Sequence, residues 1–334
     1  MMTAQVTATS PYGALPLIRR DYVTGDQSPC RDGSRGRRGF SMRISVVGGG
    51  VIGLSCAYRL AEAGHDVTVL TAAAPGETTS AVAGGVLFPP LAANSARVDR
   101  WTAASVREYR SLGAPGVRTA KGTYLVPREA PVPSWAFSMP DLDHEPGRLA
   151  FTTAMVDTPV YLAWLAGRVA ALGARTEYRT VSRLGDLDAD LVVNAAGLGG
   201  GRLAGDSTVV PVGGQVVHLA DPGLTEWIVD GSSPVLRHVI PHGRHVVCGG
   251  TQEPGRDSVE PDPGVTADIV RRCRELVPEL ADAPVLGAKV GLRPFRPEVR
   301  LDREGDVIHC YGHGGAGITL AWGCADDVLA LVVS

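Results

Sequence analysis

The run Gly48-Gly49-Gly50-Val51-Ile52-Gly53 constrains this chain more than any other feature. It sits between a short apolar run (43–47, RISVV) and a segment of helical spacing (54–64, LSCAYRLAEAG), with a second apolar run (66–70, DVTVL) after it. Strand, glycine turn, helix and strand in that order is the context in which G-x-G-x-x-G signals a dinucleotide site. Gly48 permits the turn, Gly50 lets backbone approach a pyrophosphate, and Gly53 lets helix and strand pack. The helix N-terminus then faces the negative charge, which makes Gly48, Gly50, Val51, Ile52 and Gly53 candidate cofactor contacts. Such units usually carry a carboxylate for the ribose hydroxyls after the second strand, but Thr71, Ala72 and Ala73 stand there. Either the motif is a relic, or the cofactor is held by its other contacts with its adenosine end gripped less tightly. The second reading is preferred.

A second glycine loop, YGHGGAGIT (311–319), leads into a closing helix. A nicotinamide cofactor has no obvious need of it. A flavin does, because a helix N-terminus at the isoalloxazine edge stabilises the negative charge of reduction. Between the two loops the chain reads as a helix at 158–174 with a threonine cap, a buried strand at 189–197, alternating runs from about 209 to 250 that suggest an antiparallel sheet, and a helix at 265–280. There is no internal repeat. Nucleotide-type elements at both ends enclose the middle. The expected fold is therefore α/β, with a Rossmann-like FAD-binding domain (about 42–90, 155–205 and 285–334) interleaved with an antiparallel-sheet substrate domain (about 91–154 and 206–284).

The chain has 334 residues and a formal net charge of −3, with no basic stripe in its globular part to serve nucleic acid. No apolar run is long enough to cross a bilayer. The six cysteines include no C-x-x-C pair, which suits buried, reduced thiols in a cytoplasmic protein with no metal. Residues 1–41 lack periodicity and carry the basic cluster Arg31–Arg38; they read as a disordered extension or a translation start placed too early. A homodimer is allowed by the sequence and not fixed by it.

One further stretch, GLRPFRPEVR (291–300), places Arg293 and Arg296 each directly before a proline. Proline fixes its own φ and drives the preceding residue to extended conformations, so these arginines have less backbone freedom to lose on gripping an anion.

Together the segments VVGGGVIGLSCAYRLAEAG, TTSAVAGGVLFP, VVNAAGLGG, GLRPFRPEVRLDRE and VIHCYGHGGAGITLAWGCA resemble the D-amino-acid oxidase family, in the family's order, from Met42 almost to the end. The resemblance implies non-covalent FAD, a D-amino acid and dioxygen as substrates, and hydride transfer from Cα that yields hydrogen peroxide, ammonia and a 2-oxo acid. It implies that Thr78, Thr79 and Ser80 contact the cofactor phosphates, that Gly84, Gly85 and Val86 lie along the flavin, and that Val181 touches the adenosine end. Gly314, Gly315, Gly317, Ile318 and Thr319 are expected at the flavin's pyrimidine side. Arg293 matches the carboxylate-binding arginine, with Gly315 offering a backbone group to the substrate amine, while Arg296 is given a structural role. His313 is expected to be structural or at the flavin edge.

The chain also departs from the family. His238 stands where a tyrosine hydroxyl usually meets the substrate carboxylate. Either it donates there, with a charge that varies near neutral pH, or it faces solvent. Ala196 replaces a hydroxyl residue, Phe88 replaces a polar one, and no tyrosine-bearing lid is found between Glu226 and Pro234. Neighbouring strand residues face opposite ways, so Arg237 and His238 cannot both line the pocket. With His238 inside, a neutral D-amino acid is the expected substrate. D-aspartate, glycine or a secondary amine is the alternative, and an inactive homologue is the third reading.

Overall fold

A computed structural model describes residues 41–89 and 95–332. The expected N-terminal extension, Ser41 apart, and Cys30 lie outside the described residues. β1 (Arg43–Val47), α1 (Val51–Glu62) and β2 (Asp66–Thr71) form the βαβ unit, with β1 and β2 parallel. α1 starts at Val51, ahead of its apolar spacing, because extended Gly50 is its N-cap.

α2 (Ala96–Ser111) is capped by Ser95, whose Oγ accepts from the Val98 N–H. β3 (Val117–Leu125), β4 (Asp143–Glu145) and β5 (Arg148–Val156) follow. α3 (Thr158–Ala171) lacks the expected threonine cap. Asp157 precedes the helix, and Thr158 is its first residue and donates its hydroxyl to Ala83 O at 3.3 Å. Next come β6 (Arg175–Tyr178), β7 (Leu191–Asn194) and the short α4 (Leu198–Leu203). β8 (Val210–Ala220), β9 (Trp227–Asp230), β10 (Arg237–Pro241), β11 (His245–Gly249) and β12 (Glu253–Pro254) form the antiparallel run. α5 (Pro263–Leu276), capped by the Asp262 carboxylate, leads to β13 (Val285–Glu304), β14 (Val307–His313) and α6 (Gly317–Val332).

The strands pair in one continuous order, β4-β5-β3-β9-β10-β11-β8-β13-β14-β7-β1-β2-β6, with β12 on β8. From β14 to β6 every pairing is parallel. From β4 to β14 every pairing but β3–β9 is antiparallel. β13 joins the two regions: Val285 to Phe295 pairs with β8, and Arg300 to Glu304 pairs with β14. The sequence reading gave all of this strand to the nucleotide part, yet a strand hydrogen-bonded to both regions has no single side.

α1 and α2 pack on α6 over a buried aromatic cluster of Trp101, Tyr109, Tyr161 and Trp322. A Cβ on Gly323 would lie 2.3 Å from the Trp101 Cα, so glycine is what lets α6 and α2 approach so closely. Each large aromatic side chain buried there contributes on the order of 2–3 kcal/mol. That core fixes α6, and therefore the loop before it, against the ends of the parallel strands.

Candidate active site

A cleft of about 790 Å3 runs past the carboxyl ends of β1, β2, β7 and β14, the position open α/β sheets reserve for ligands. Every residue assigned from the sequence to the cofactor or the substrate lines it except Gly53. A Cβ on Gly53 would come within 1.8 Å of Gly48 O, so this glycine serves helix–strand packing. Gly48 has φ +121°, and a Cβ there would meet Ala195 O at 2.3 Å. Only glycine satisfies both demands.

At the nucleotide end, the Ser80 hydroxyl accepts from the Val51 N–H at 3.1 Å, which seats Thr78, Thr79 and Ser80 beside the start of α1. The turn that lacks a ribose acid closes on itself, with Thr71 Oγ1 donating to Ala73 O at 2.8 Å. Val181 lines this end together with Arg179, Ser182 and Arg202, three residues the sequence reading missed. They come from the loop after β6 and from α4, where no motif marks them. No Asp or Glu lines the described cleft, whereas three arginines do. Such a lining, opening on the N-terminus of α1, fits an anionic dinucleotide.

Gly84, Gly85 and Val86 line the cleft together with Gly314, Gly315, Gly317, Ile318 and Thr319. Gly85 has φ +82°, and a Cβ on it would meet Val156 O at 1.9 Å. Thr319 Oγ1 donates to Phe88 O at 3.0 Å. Gly314 N–H donates to Pro294 O at 2.8 Å, so the loop carrying Gly315 is tied to the residue after Arg293. His313 is buried, its Nε2 is 3.4 Å from Cys324 Sγ, and burial pushes its pKa down to about 3. Cys310, His313 and Cys324 bring ligand-type atoms within 4.8 Å of one another, a proximity that no C-x-x-C spacing could reveal. Burial raises the Cys324 thiol, and the Cys324 contact with burial raises Cys310, so both stay protonated. All the described cysteines are free and buried.

Arg293 projects into the cleft from β13 and is part-buried. Its Nη1 donates to Thr251 O at 3.0 Å and to Gly213 O at 3.4 Å. Both acceptors are neutral. Among the described residues no carboxylate lies within salt-bridge distance of it, and burial alone lowers its pKa. The other proline-flanked arginine differs: Arg296 Nε pairs with Asp206 at 3.0 Å and Nη1 donates to Glu298 O at 2.8 Å.

His238 lines the cleft and is 8% exposed, which removes the solvent-facing alternative. The expectation of a charge varying near neutral pH is also corrected. Burial, and then the charges of Arg293 and Arg272, push its pKa down to about 3, so the imidazole is neutral. Its ring lies against Gly249, where a Cβ would come within 2.1 Å of Cε1, and its buried Nε2 has no hydrogen-bond partner among the described residues. Arg237, its neighbour, is held by Asp230 through Nε at 3.0 Å and through Nη2, and does not line the cleft. Phe88, Val216, Val229, Leu236 and Ile240 supply an apolar wall. Between Glu226 and Pro234 the chain makes only β9 and a tight turn in which Asp230 Oδ1 accepts from Ser232.

No helix among the described residues is long and apolar enough to cross a membrane. A family model described as FAD dependent oxidoreductase, DAO, matches residues 43–331. The chain is 41% identical over 320 residues to the D-amino-acid oxidase of Rubrobacter xylanophilus, covering 90% of this chain and 98% of that one. It is 40% identical over 306 residues to the D-amino-acid oxidase of Streptomyces coelicolor, covering 86% and 96%. Among solved structures, the glycine oxidase of Geobacillus kaustophilus superposes with a TM-score of 0.71 at 22% identity, covering 88% of this chain and 95% of that chain.

Proposed function

The chain belongs to the DAO family of FAD-dependent oxidoreductases, and from that premise we propose that it oxidatively deaminates neutral D-amino acids. FAD is its cofactor. When bound, FAD supplies the two-electron acceptor for the substrate Cα–H and passes those electrons to dioxygen, which leaves as hydrogen peroxide. Gly48, Gly50, Val51, Ile52, Thr78, Thr79, Ser80 and Val181 would hold its nucleotide half, and Gly84 to Val86 with Gly314 to Thr319 its flavin half.

The observation that carries the substrate assignment is Arg293, a part-buried guanidinium in the cleft whose partners among the described residues are carbonyls. Its fork can take a carboxylate through two parallel N–H donors. On this reading the Gly315 backbone meets the amine, and the bond from Gly314 N–H to Pro294 O, which ties its loop to the Arg293 strand, supports that role. Two anchors on the substrate's ends orient the Cα–H, and that orientation carries most of the catalysis. The oxidised product is an imino acid, which hydrolyses to a 2-oxo acid and ammonia.

No general base is required. His313 and His238 are neutral and buried, and the amine reacts in its unprotonated form. The apolar wall around Phe88 and the neutrality of His238 favour uncharged side chains. The test is a peroxide-coupled assay of D-alanine, D-valine, D-methionine, glycine, D-aspartate and the L-isomers, run on wild type and Arg293→Ala. Turnover of neutral D-isomers that collapses in the variant supports the reading. Turnover of glycine alone, or equal rates in the variant, defeats it.

A further inference from the structure

One of the two carbonyls that accept from Arg293 is on β8, at Gly213, and the other belongs to a loop with its own anchor. Thr251, whose carbonyl accepts from Arg293 Nη1 at 3.0 Å, stands just beyond β11 in the stretch 250–262 that leads to α5. Its hydroxyl accepts from the Gln215 N–H at 3.0 Å and donates to Glu253 Oε1 at 2.8 Å. Glu253 is held in turn by Arg256 Nη1, at 2.9 and 3.0 Å. The far end of the stretch hangs on the side chain of the same glutamine, which is fully buried. Gln215 Nε2 donates to Asp262 O at 2.9 Å and to Thr266 Oγ1 at 2.8 Å, and its Oε1 accepts from the Asp262 N–H at 2.8 Å. β8 therefore grips both ends of the stretch through Gln215, while β12 in its middle pairs with Gly213 and Val212.

An acid beside Arg293 would hold it and also cancel its charge. A carbonyl holds the guanidinium while leaving the charge for an incoming anion. The carbonyl is only as well placed as the loop that carries it. β12 pairs the middle of that loop with β8, and the Thr251 hydroxyl ties its start to Gln215 and Glu253. Thr251 itself does not line the cleft. We infer that Thr251 is a positioning residue for substrate binding, its side chain clamping the loop so that its carbonyl holds Arg293 towards the substrate carboxylate. This rests on the reading of Arg293 as the carboxylate receptor.

The test uses the FAD-loaded full chain as wild type, Thr251→Val and Thr251→Ser. Benzoate, a carboxylate without an amine, is titrated against the flavin spectrum, and KM and kcat are measured with D-alanine. Valine keeps the size, removes the hydroxyl and leaves the Gln215 N–H without its acceptor, so the benzoate dissociation constant and KM are expected to rise about tenfold. Because the hydroxyl acts through substrate binding, kcat is expected to stay within about threefold, and serine to restore both binding constants. FAD affinity, read by fluorescence, should not move. Wild-type constants in Thr251→Val overturn the proposal. So does a serine variant as weak as valine, because serine keeps the hydroxyl to which the clamp is assigned.

Should Thr251→Val fail to fold, Glu253→Gln weakens the same clamp from its exposed side. It is then expected to raise the benzoate constant about threefold, and no change overturns the proposal. A wild type that binds benzoate but is not reduced by D-alanine faults the reaction assigned above, while the benzoate constants still decide the role of Thr251. A wild type that binds neither overturns both.

Discussion

The guanidinium of Arg293 lies flat on Gly214: a Cβ at that glycine would come within 2.2 Å of Nη1 and 2.3 Å of Cζ. Gly214 stands on β8 opposite Gly291 of β13, two residues before Arg293, so the side chain folds back over the neighbouring strand. A methyl group on Gly214 must displace the guanidinium by an ångström or more. Such a shift of a substrate anchor costs about a hundredfold in kcat/KM. Gly214→Ala should therefore raise KM for D-amino acids steeply while FAD binding, measured by fluorescence, is retained. A wild-type KM would mean that Arg293 does not act from this position.

His238 is neutral throughout the working range, because burial and the charges of Arg293 and Arg272 hold its pKa down at about 3. KM for a neutral D-amino acid should therefore have no inflection between pH 5.5 and 7.5 attributable to this residue. An inflection near 6.5, the ordinary imidazole value, that disappears in His238→Gln would contradict the neutral assignment.

Three imidazoles, His238 and His313 buried and His218 partly so, tie stability to pH. Burial lowers His218 to about 4, and lowers His238 and His313 to about 3. A histidine whose folded pKa is depressed favours the fold as long as it is neutral in both states. Its contribution is complete above the unfolded value near 6.5 and is lost as pH falls towards the folded values. Near pH 5 these three groups together bind about three more protons in the unfolded chain than in the folded one. Allowing for partial solvation of His218, stability should fall by roughly 3–4 kcal/mol per pH unit. Denaturant unfolding at pH 7.5, 6 and 5 measures this, and a flat profile would contradict it.

Arg237 is not available to an acidic substrate. Asp230, 1% exposed, neutralises it from the facing strand, and the pair lies outside the cleft lining. The kcat/KM for D-aspartate should be lower than that for D-valine or D-methionine by about tenfold or more, since a second carboxylate would be desolvated against an apolar wall. Equal efficiencies would place a cation in the pocket that the structure does not put there.

The glycines were readable in the sequence because each answers a local demand. Gly48 and Gly53 stand where backbone meets backbone, and the strand–turn–helix context identifies such positions without a structure. Arg293 was readable through its proline and its motif. The side of the strand that His238 occupies was not, because alternation tells which residues share a face but not which face is inward. Arg179 and Arg202 carry no motif at all. The loop that holds Arg293 was equally hidden, since the bond from Gln215 to Thr251 spans 36 residues and uses a backbone donor. Placing all of β13 in the nucleotide part could not anticipate that it hydrogen-bonds to both regions.

The central claim is that this cleft delivers the Cα–H of a D-amino acid to FAD. The most direct test is the visible spectrum of the purified FAD-loaded protein under anaerobic conditions, before and after D-alanine and, separately, L-alanine. Loss of the yellow flavin absorbance with the D-isomer alone is the predicted result. A flavin that binds and keeps its colour with every neutral D-amino acid, or that bleaches equally with the L-isomer, would contradict it.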